Sequence, residues 1–228
     1  MSENSAKEIH FEVSEKAGTV SGLLLLPRGA KSLLVLAHGA GAGMRHKFME
    51  QVADKLADRR VATLRYQFPY MEKGVRRPDS EAVLTTTVRA AVATANKYAN
   101  DLPIFAGGKS MGGRMTSLTA AKEPLDRVRG LIYFGFPLHA AGKPSANRGE
   151  HLFETKLPML FLQGSRDALA DLKLLKPLCA RLGKRVELFV IEGGDHSFHV
   201  LKSSGRSDDQ VLEETAAKVA RWISSVSK

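Results

Sequence analysis

The sequence predicts an α/β domain, a doubly wound and mostly parallel sheet with helices on both faces. Three observations carry that expectation. Short apolar runs alternate along the chain with segments whose apolar residues recur at helical spacing. Some runs, such as Leu33–Ala37 (LLVLA), are apolar throughout, as expected of strands buried on both faces. And the run Leu102–Ala106 (LPIFA) leads through Gly107-Gly108-Lys109-Ser110-Met111-Gly112-Gly113 into the helix-like segment Arg114–Lys122, which reads as strand, sharp turn and helix.

Taken in order, His10–Val13 and Val20–Leu26 read as two strands joined at Ala17-Gly18, the antiparallel edge of the sheet. Leu33–Ala37 follows and opens into the small-residue loop His38–Gly43 (HGAGAG). Lys47–Arg60 carries Phe48, Val52, Leu56 and Ala57 at helical spacing. Val61–Arg65 is a strand ending in the aromatic loop Tyr66–Tyr70. Asp79 has the chemistry of a helix N-cap, so Ser80–Tyr98 is expected to be helical. After the Gly-rich turn and its helix come the strand Val128–Phe136, the polar loop Pro137–Glu154 and the strand Pro158–Gln163. Ala170–Leu182 is then a helix, Arg185–Ile191 a strand and Asp208–Val226 a helix with Trp222 on its apolar stripe. No internal repeat or linker is visible, and 228 residues fit one domain with a substantial core.

Composition narrows the functional classes. No apolar run approaches the ~20 residues of a membrane span, and the polar start MSENSAKEIH lacks a signal-peptide core. The single cysteine, Cys179, excludes an intrachain disulfide framework and a cysteine-rich zinc site. Together these point to the cytoplasm. The net charge of +10 reads most simply as a solvated basic surface. A nucleic-acid partner would need a binding motif, and none is present, with aromatics only 7% of residues.

The Gly-rich turn matches G-x-S-x-G with Gly108, Ser110 and Gly112, the nucleophile elbow. A serine on a strained strand-to-helix turn needs neighbours without a Cβ, and the helix that follows directs free N–H groups towards it. Serine is a weak nucleophile near neutral pH and needs a base, which in turn needs an acid to orient it. His196, in the loop Gly193–His196 after the last strand, suits the base. Asp167, in Gly164-Ser165-Arg166-Asp167 after the preceding strand, suits the acid. The order Ser110, Asp167, His196 is that of α/β-hydrolases. Asp171 and Asp195 are alternative acids and His199 an alternative base. Asp171 falls inside the expected helix, while Asp195 adjoins His196 too closely to pair with it. A metal site at Asp195, His196 and His199 lacks further ligands at a matching spacing, so no metal and no cofactor is expected.

An oxyanion hole should combine the backbone N–H of Met111, next to the nucleophile, with one from the loop after Leu33–Ala37. Ala40 is the first choice there and Gly39 the next, while His38 shapes the loop. Tyr66, Phe68, Tyr70 and Met71 are candidate pocket walls, with Gly39, Tyr70 and Met71 the expected substrate contacts. Lys109, Arg114, Arg45, His46 and Lys47 should lie near the same rim, either as solvated charge or as a field that attracts an acidic substrate.

The segments HGAGAG (His38–Gly43), Phe68-Pro69-Tyr70-Met71, GGKSMGGR at the elbow, GSRD (Gly164–Asp167) and GGDHSF (Gly193–Phe198) together resemble the α/β-hydrolase superfamily. Within it they are similar to the small dienelactone-hydrolase-like group that includes the testis-expressed hydrolase-like proteins. The resemblance spans roughly residues 20–225 and implies an α/β-hydrolase fold. Because dienelactone hydrolases carry Cys as nucleophile where this chain has Ser110, the resemblance weighs against dienelactone itself as substrate. The segment between Val128–Phe136 and Pro158–Gln163 is too short for a large lid domain. The expected activity is serine hydrolysis of a small-molecule carboxylic ester or thioester through an acyl-enzyme. Some members of the group are non-catalytic subunits of larger assemblies, so a hydrolase-shaped scaffold is the alternative. The sequence leaves the oligomeric state open.

Overall fold

Apolar strands this short can satisfy their backbone only by pairing, and their two apolar faces can be buried only under helices. The computed structural model, which describes residues 5–227, shows how this chain does both. Eight strands, β1 (Lys7–Ser14), β2 (Gly18–Leu25), β3 (Ser32–Ala37), β4 (Val61–Tyr66), β5 (Ile104–Lys109), β6 (Val128–Phe134), β7 (Met159–Gly164) and β8 (Val186–Ile191), form one sheet in the order β1-β2-β4-β3-β5-β6-β7-β8. Strands β3 to β8 run parallel to one another, while β2 is antiparallel to both β1 and β4. The leading hairpin is thus the antiparallel edge, turning where Gly18 adopts φ +82°.

The helices are α1 (Lys47–Ala57), α2 (Pro69–Glu72), α3 (Glu81–Ala99), α4 (Met111–Lys122), α5 (Leu172–Leu182) and α6 (Asp208–Val226). The two-residue period of the strands divides the core. Leu33 and Val35 face one layer, where α3, α4 and α5 pack; Leu34 and Leu36 face the other, under α1 and α6. Trp222 of α6 anchors the second layer edge-on to Phe105. Gly130 leaves room for it, because a Cβ there would come within 2.7 Å of the indole.

The structure corrects several boundaries. Helix α3 is capped by Ser80, whose hydroxyl accepts from the Val83 N–H; the Asp79 carboxylate instead accepts from the Tyr70 N–H. Tyr66 closes β4 and is fully buried, so the aromatic loop begins one residue later. Asp171 lies just outside α5 as its N-cap, accepting from the Lys173 N–H. The segment 137–154 contains a 3-10 turn at Asn147–Phe153. Its His151 Nε2 meets the Ser117 hydroxyl at 2.7 Å, tying the turn to α4. No large lid is formed among the described residues.

The sheet order fixes where function can sit. The chain leaves β3 for β4 on one side and returns to β5 on the other, so the loops after β3 and β5 are neighbours at the carboxyl edge. Open α/β sheets bind ligands at such a switch point.

Candidate active site

Strand β5 carries the turn because its glycines admit other backbone. A Cβ on Gly108 would lie 2.4 Å from the Ala37 carbonyl oxygen, and one on Gly112 would lie 2.5 Å from that of His38. The elbow and the first turn of α4 therefore pack directly against the end of β3. Ser110 sits between them at φ 52°, ψ −119°, a non-glycine residue in the left-handed half of conformational space. Such a conformation costs on the order of 1–3 kcal/mol and persists only where the surroundings enforce it. Here its N–H donates to the Phe134 carbonyl and its carbonyl accepts from the Arg114 N–H.

The hydroxyl of Ser110 meets Nε2 of His196 at 2.8 Å, and Nδ1 of His196 meets Oδ2 of Asp167 at 2.7 Å. Three loops, after β5, β7 and β8, supply one unbroken hydrogen-bonded line. The Asp167 side chain is fully enclosed and its acceptors are used: Oδ1 takes the Leu169 N–H, and Oδ2 also takes the amide of Gln163. Gln163 is itself held, since its carbonyl oxygen accepts from the Phe136 N–H. Sequence reading passed over Gln163; its one signal is a polar side chain closing the apolar run PMLFLQ.

The alternative residues have other partners. Asp195 shapes its own turn, accepting from the Ser197 and His199 N–H groups. His199 is exposed and pairs with Asp208, which raises its affinity for a proton. Among the described residues no three His, Cys, Asp or Glu side chains are grouped as a metal site requires.

His38 is fully buried. Its Nε2 accepts from the Phe68 N–H, so the proton is on Nδ1, which donates to the Gly39 carbonyl. Burial lowers its pKa to about 4, and it stays neutral as a clamp between two loops. The N–H groups of Met111 and Ala40 donate to no protein acceptor among the described residues. Ala40, Gly39 and Ser110 all border a cavity of about 690 Å³ that also carries His196.

The cavity walls differ from those expected. Tyr70 and Met71 do not border it. Tyr70 is buried, stacked on Phe68, and its hydroxyl accepts from the Gly41 N–H, supporting the loop after β3 from behind. Met71 packs on the core. The apolar walls are Phe48 and Met49 of α1, Phe198 after β8, and Leu212 of α6. The basic residues also separate. Lys109, His46 and Lys47 border the cavity, as do Asp208 and Asp209. Arg45 instead pairs with Glu8 at the surface, and Arg114 is half-buried near Arg148 and Glu81.

A family model described as an alpha/beta hydrolase domain matches residues 30–224. The chain belongs to the alpha/beta hydrolase family. The chain is similar in structure to a dienelactone hydrolase from Anabaena variabilis, with a TM-score of 0.74 and 21% identity over 96% of each chain. It is also similar to an α/β serine hydrolase without a lid from Xanthomonas campestris, with a TM-score of 0.73 and 18% identity over 96% of this chain and 95% of the other. At these identities the likeness is one of fold. In sequence the chain is 28% identical over 220 residues to a protein of Mycobacterium tuberculosis, matched in two strains and provisionally named a phosphoribosyl transferase. The match covers 93% of this chain and 45% of the relative, so the chain spans about half the length of these curated relatives. No helix among the described residues is long and apolar enough to cross a membrane.

Proposed function

We propose that this hydrolase cleaves a carboxylic ester or thioester through an acyl-enzyme, with Ser110 as nucleophile, His196 as base and Asp167 as the acid that orients it. The observation that carries the reading is the continuous line from Ser110 through His196 to Asp167 at the wall of a largely apolar cavity. Ser110 attacks the carbonyl carbon and its proton passes to His196 Nε2. The oxyanion formed is held by the N–H groups of Met111 and Ala40, favoured by the N-terminal end of α4. The bond to the leaving group then breaks, and the leaving alcohol or thiol takes the proton from His196. Water attacks the ester so formed on Ser110, gives a proton to His196 and releases the acid and the free serine. Phe48, Met49, Phe198 and Leu212 favour a substrate whose acyl or alkyl part is apolar. The name given to the mycobacterial relatives belongs to proteins of about twice this length, and a serine–histidine–aspartate line supports acyl transfer to water instead.

The test is labelling by a fluorophosphonate, which reacts with activated serines, alongside hydrolysis of a short activated ester. Wild type should label and turn over, and Ser110→Ala should do neither while keeping its circular dichroism and Tm. A well-folded wild type that does neither would favour the scaffold reading.

A further inference from the structure

Lys109 immediately precedes the nucleophile, yet its side chain does not run out to solvent. It passes under the loop after β3, its Cγ 3.7 Å from where a Cβ on Gly39 would lie. The ammonium ends over the rings of Phe48 and Phe198, 5.6 and 5.4 Å from their centroids. Its hydrogen-bond partner is the backbone carbonyl of His196, at 2.5 Å and 87 residues away in sequence. Lys109 is part-buried at the cavity wall; drawing an ammonium partly out of water is costly, and a methionine would fill the space between two phenylalanines without that cost. Packing alone therefore does not call for a lysine here.

The base loop explains it. Residues 192–199 are irregular; their backbone is tied at Gly194, whose carbonyl accepts from the Arg166 N–H, and by Asp195, which takes the Ser197, Phe198 and His199 N–H groups and donates to the His199 carbonyl, but none of these bonds engages the His196 backbone. Among the described residues the His196 carbonyl has one donor, Lys109. We propose that Lys109 is a positioning residue that braces the nucleophile turn against the base loop and, through the His196 carbonyl, holds the imidazole in line with Ser110 and Asp167. This inference rests on the serine-hydrolase reading.

The brace has a pH dependence. Desolvation outweighs the attraction of Asp167 and Asp195 and lowers the Lys109 pKa from 10.5 to about 8. The titratable groups around the same cavity are His196 itself, His46 and Lys47 at the start of α1, and Asp208 and Asp209 at the start of α6. A neutral amine still donates, but a charge-assisted bond is roughly twice as strong. Activity should therefore fall as Lys109 loses its proton. The same proton loss does not unfold the protein. Between pH 8 and 10.5 the unfolded chain binds a proton that the folded chain has released, so this group adds stability as pH rises.

The experiment compares wild type, Lys109→Met and Lys109→Arg by turnover of a short activated ester, by fluorophosphonate labelling across pH, and by the low-field NMR resonance of the His196–Asp167 proton. In Lys109→Met, kcat and labelling rate should fall about 10²-fold with KM within about twofold, and the low-field resonance should shift or vanish. Lys109→Arg should recover most of kcat and lose the alkaline decline, because guanidinium stays charged. Lys109→Met turning over within about twofold of wild type would overturn the proposal. If wild type neither labels nor turns over, the hydrolase reading fails separately, and the resonance still decides the brace: unchanged in Lys109→Met, it refutes it. If neither variant folds, wild type decides alone. A kcat that declines above about pH 8 while Tm does not fall supports the brace, and one level to about pH 10 overturns it.

Discussion

Replacing Gln163 by leucine tests how the acid is held. The change keeps the volume and removes both polar contacts, so no cavity is left to add to the effect. Gln163 is fully buried, with its amide on Asp167 and its carbonyl oxygen on the Phe136 N–H. The bond to a carboxylate is worth about 1.5–3 kcal/mol and the neutral one about 0.5–1.5 kcal/mol, so the loss should be about 3 kcal/mol. At roughly 2–4 °C per kcal/mol for a chain of this size, Tm should drop by about 6–12 °C. Gln163 does not border the cavity, so KM should hold, while kcat should fall about tenfold as the freed carboxylate loosens the imidazole. Differential scanning fluorimetry and steady-state kinetics on an activated ester read both quantities. A Tm within about 2 °C of wild type would refute the reasoning, since the pair would then contribute nothing.

Asp167→Asn should cost about 10⁴-fold in kcat by favouring the wrong imidazole tautomer. Asp171→Asn and Asp195→Asn should cost little, because an asparagine oxygen can still accept the N–H groups those carboxylates hold; a larger loss from Asp171→Asn would move the acid to that position. Buried neutral His38 should make the protein acid-sensitive. Between the ordinary pKa of 6.5 and its lowered value of about 4 the unfolded chain binds a proton that the folded chain refuses, so stability falls as pH drops through that window and levels off below it. That interval corresponds to about 3 kcal/mol. His38→Gln should therefore lose about 6–12 °C less Tm than wild type between neutral and acidic pH. Parallel melting curves for the two proteins would remove His38 as the cause.

The sequence by itself determined the sheet, the elbow and the candidate residues. Apolar runs, helical periods and the spacing of Gly108, Ser110 and Gly112 are local properties, whereas the close approach to Ala37 and His38 that those glycines permit is made by the folded sheet. That is why the final helix begins and ends at the expected residues, and why the chain order of Ser110, Asp167 and His196 could be recognised. Tertiary structure decided which side chains meet. Phe48 of α1 and Phe198 of the loop after β8 share a cavity wall because both pack on the same face of the sheet, bringing together segments 150 residues apart that carry no common motif. Tyr70 was expected in the pocket because it is aromatic and follows a strand. The turn of α2 directs it instead behind the loop after β3, where its hydroxyl finds a backbone partner. Gln163 and Lys109 gained their places from single contacts, one with a carboxylate and one with a carbonyl far along the chain. Spacing records which residues share a face of one element, whereas a hydrogen bond between loops depends on how the whole sheet brings its carboxyl edge together.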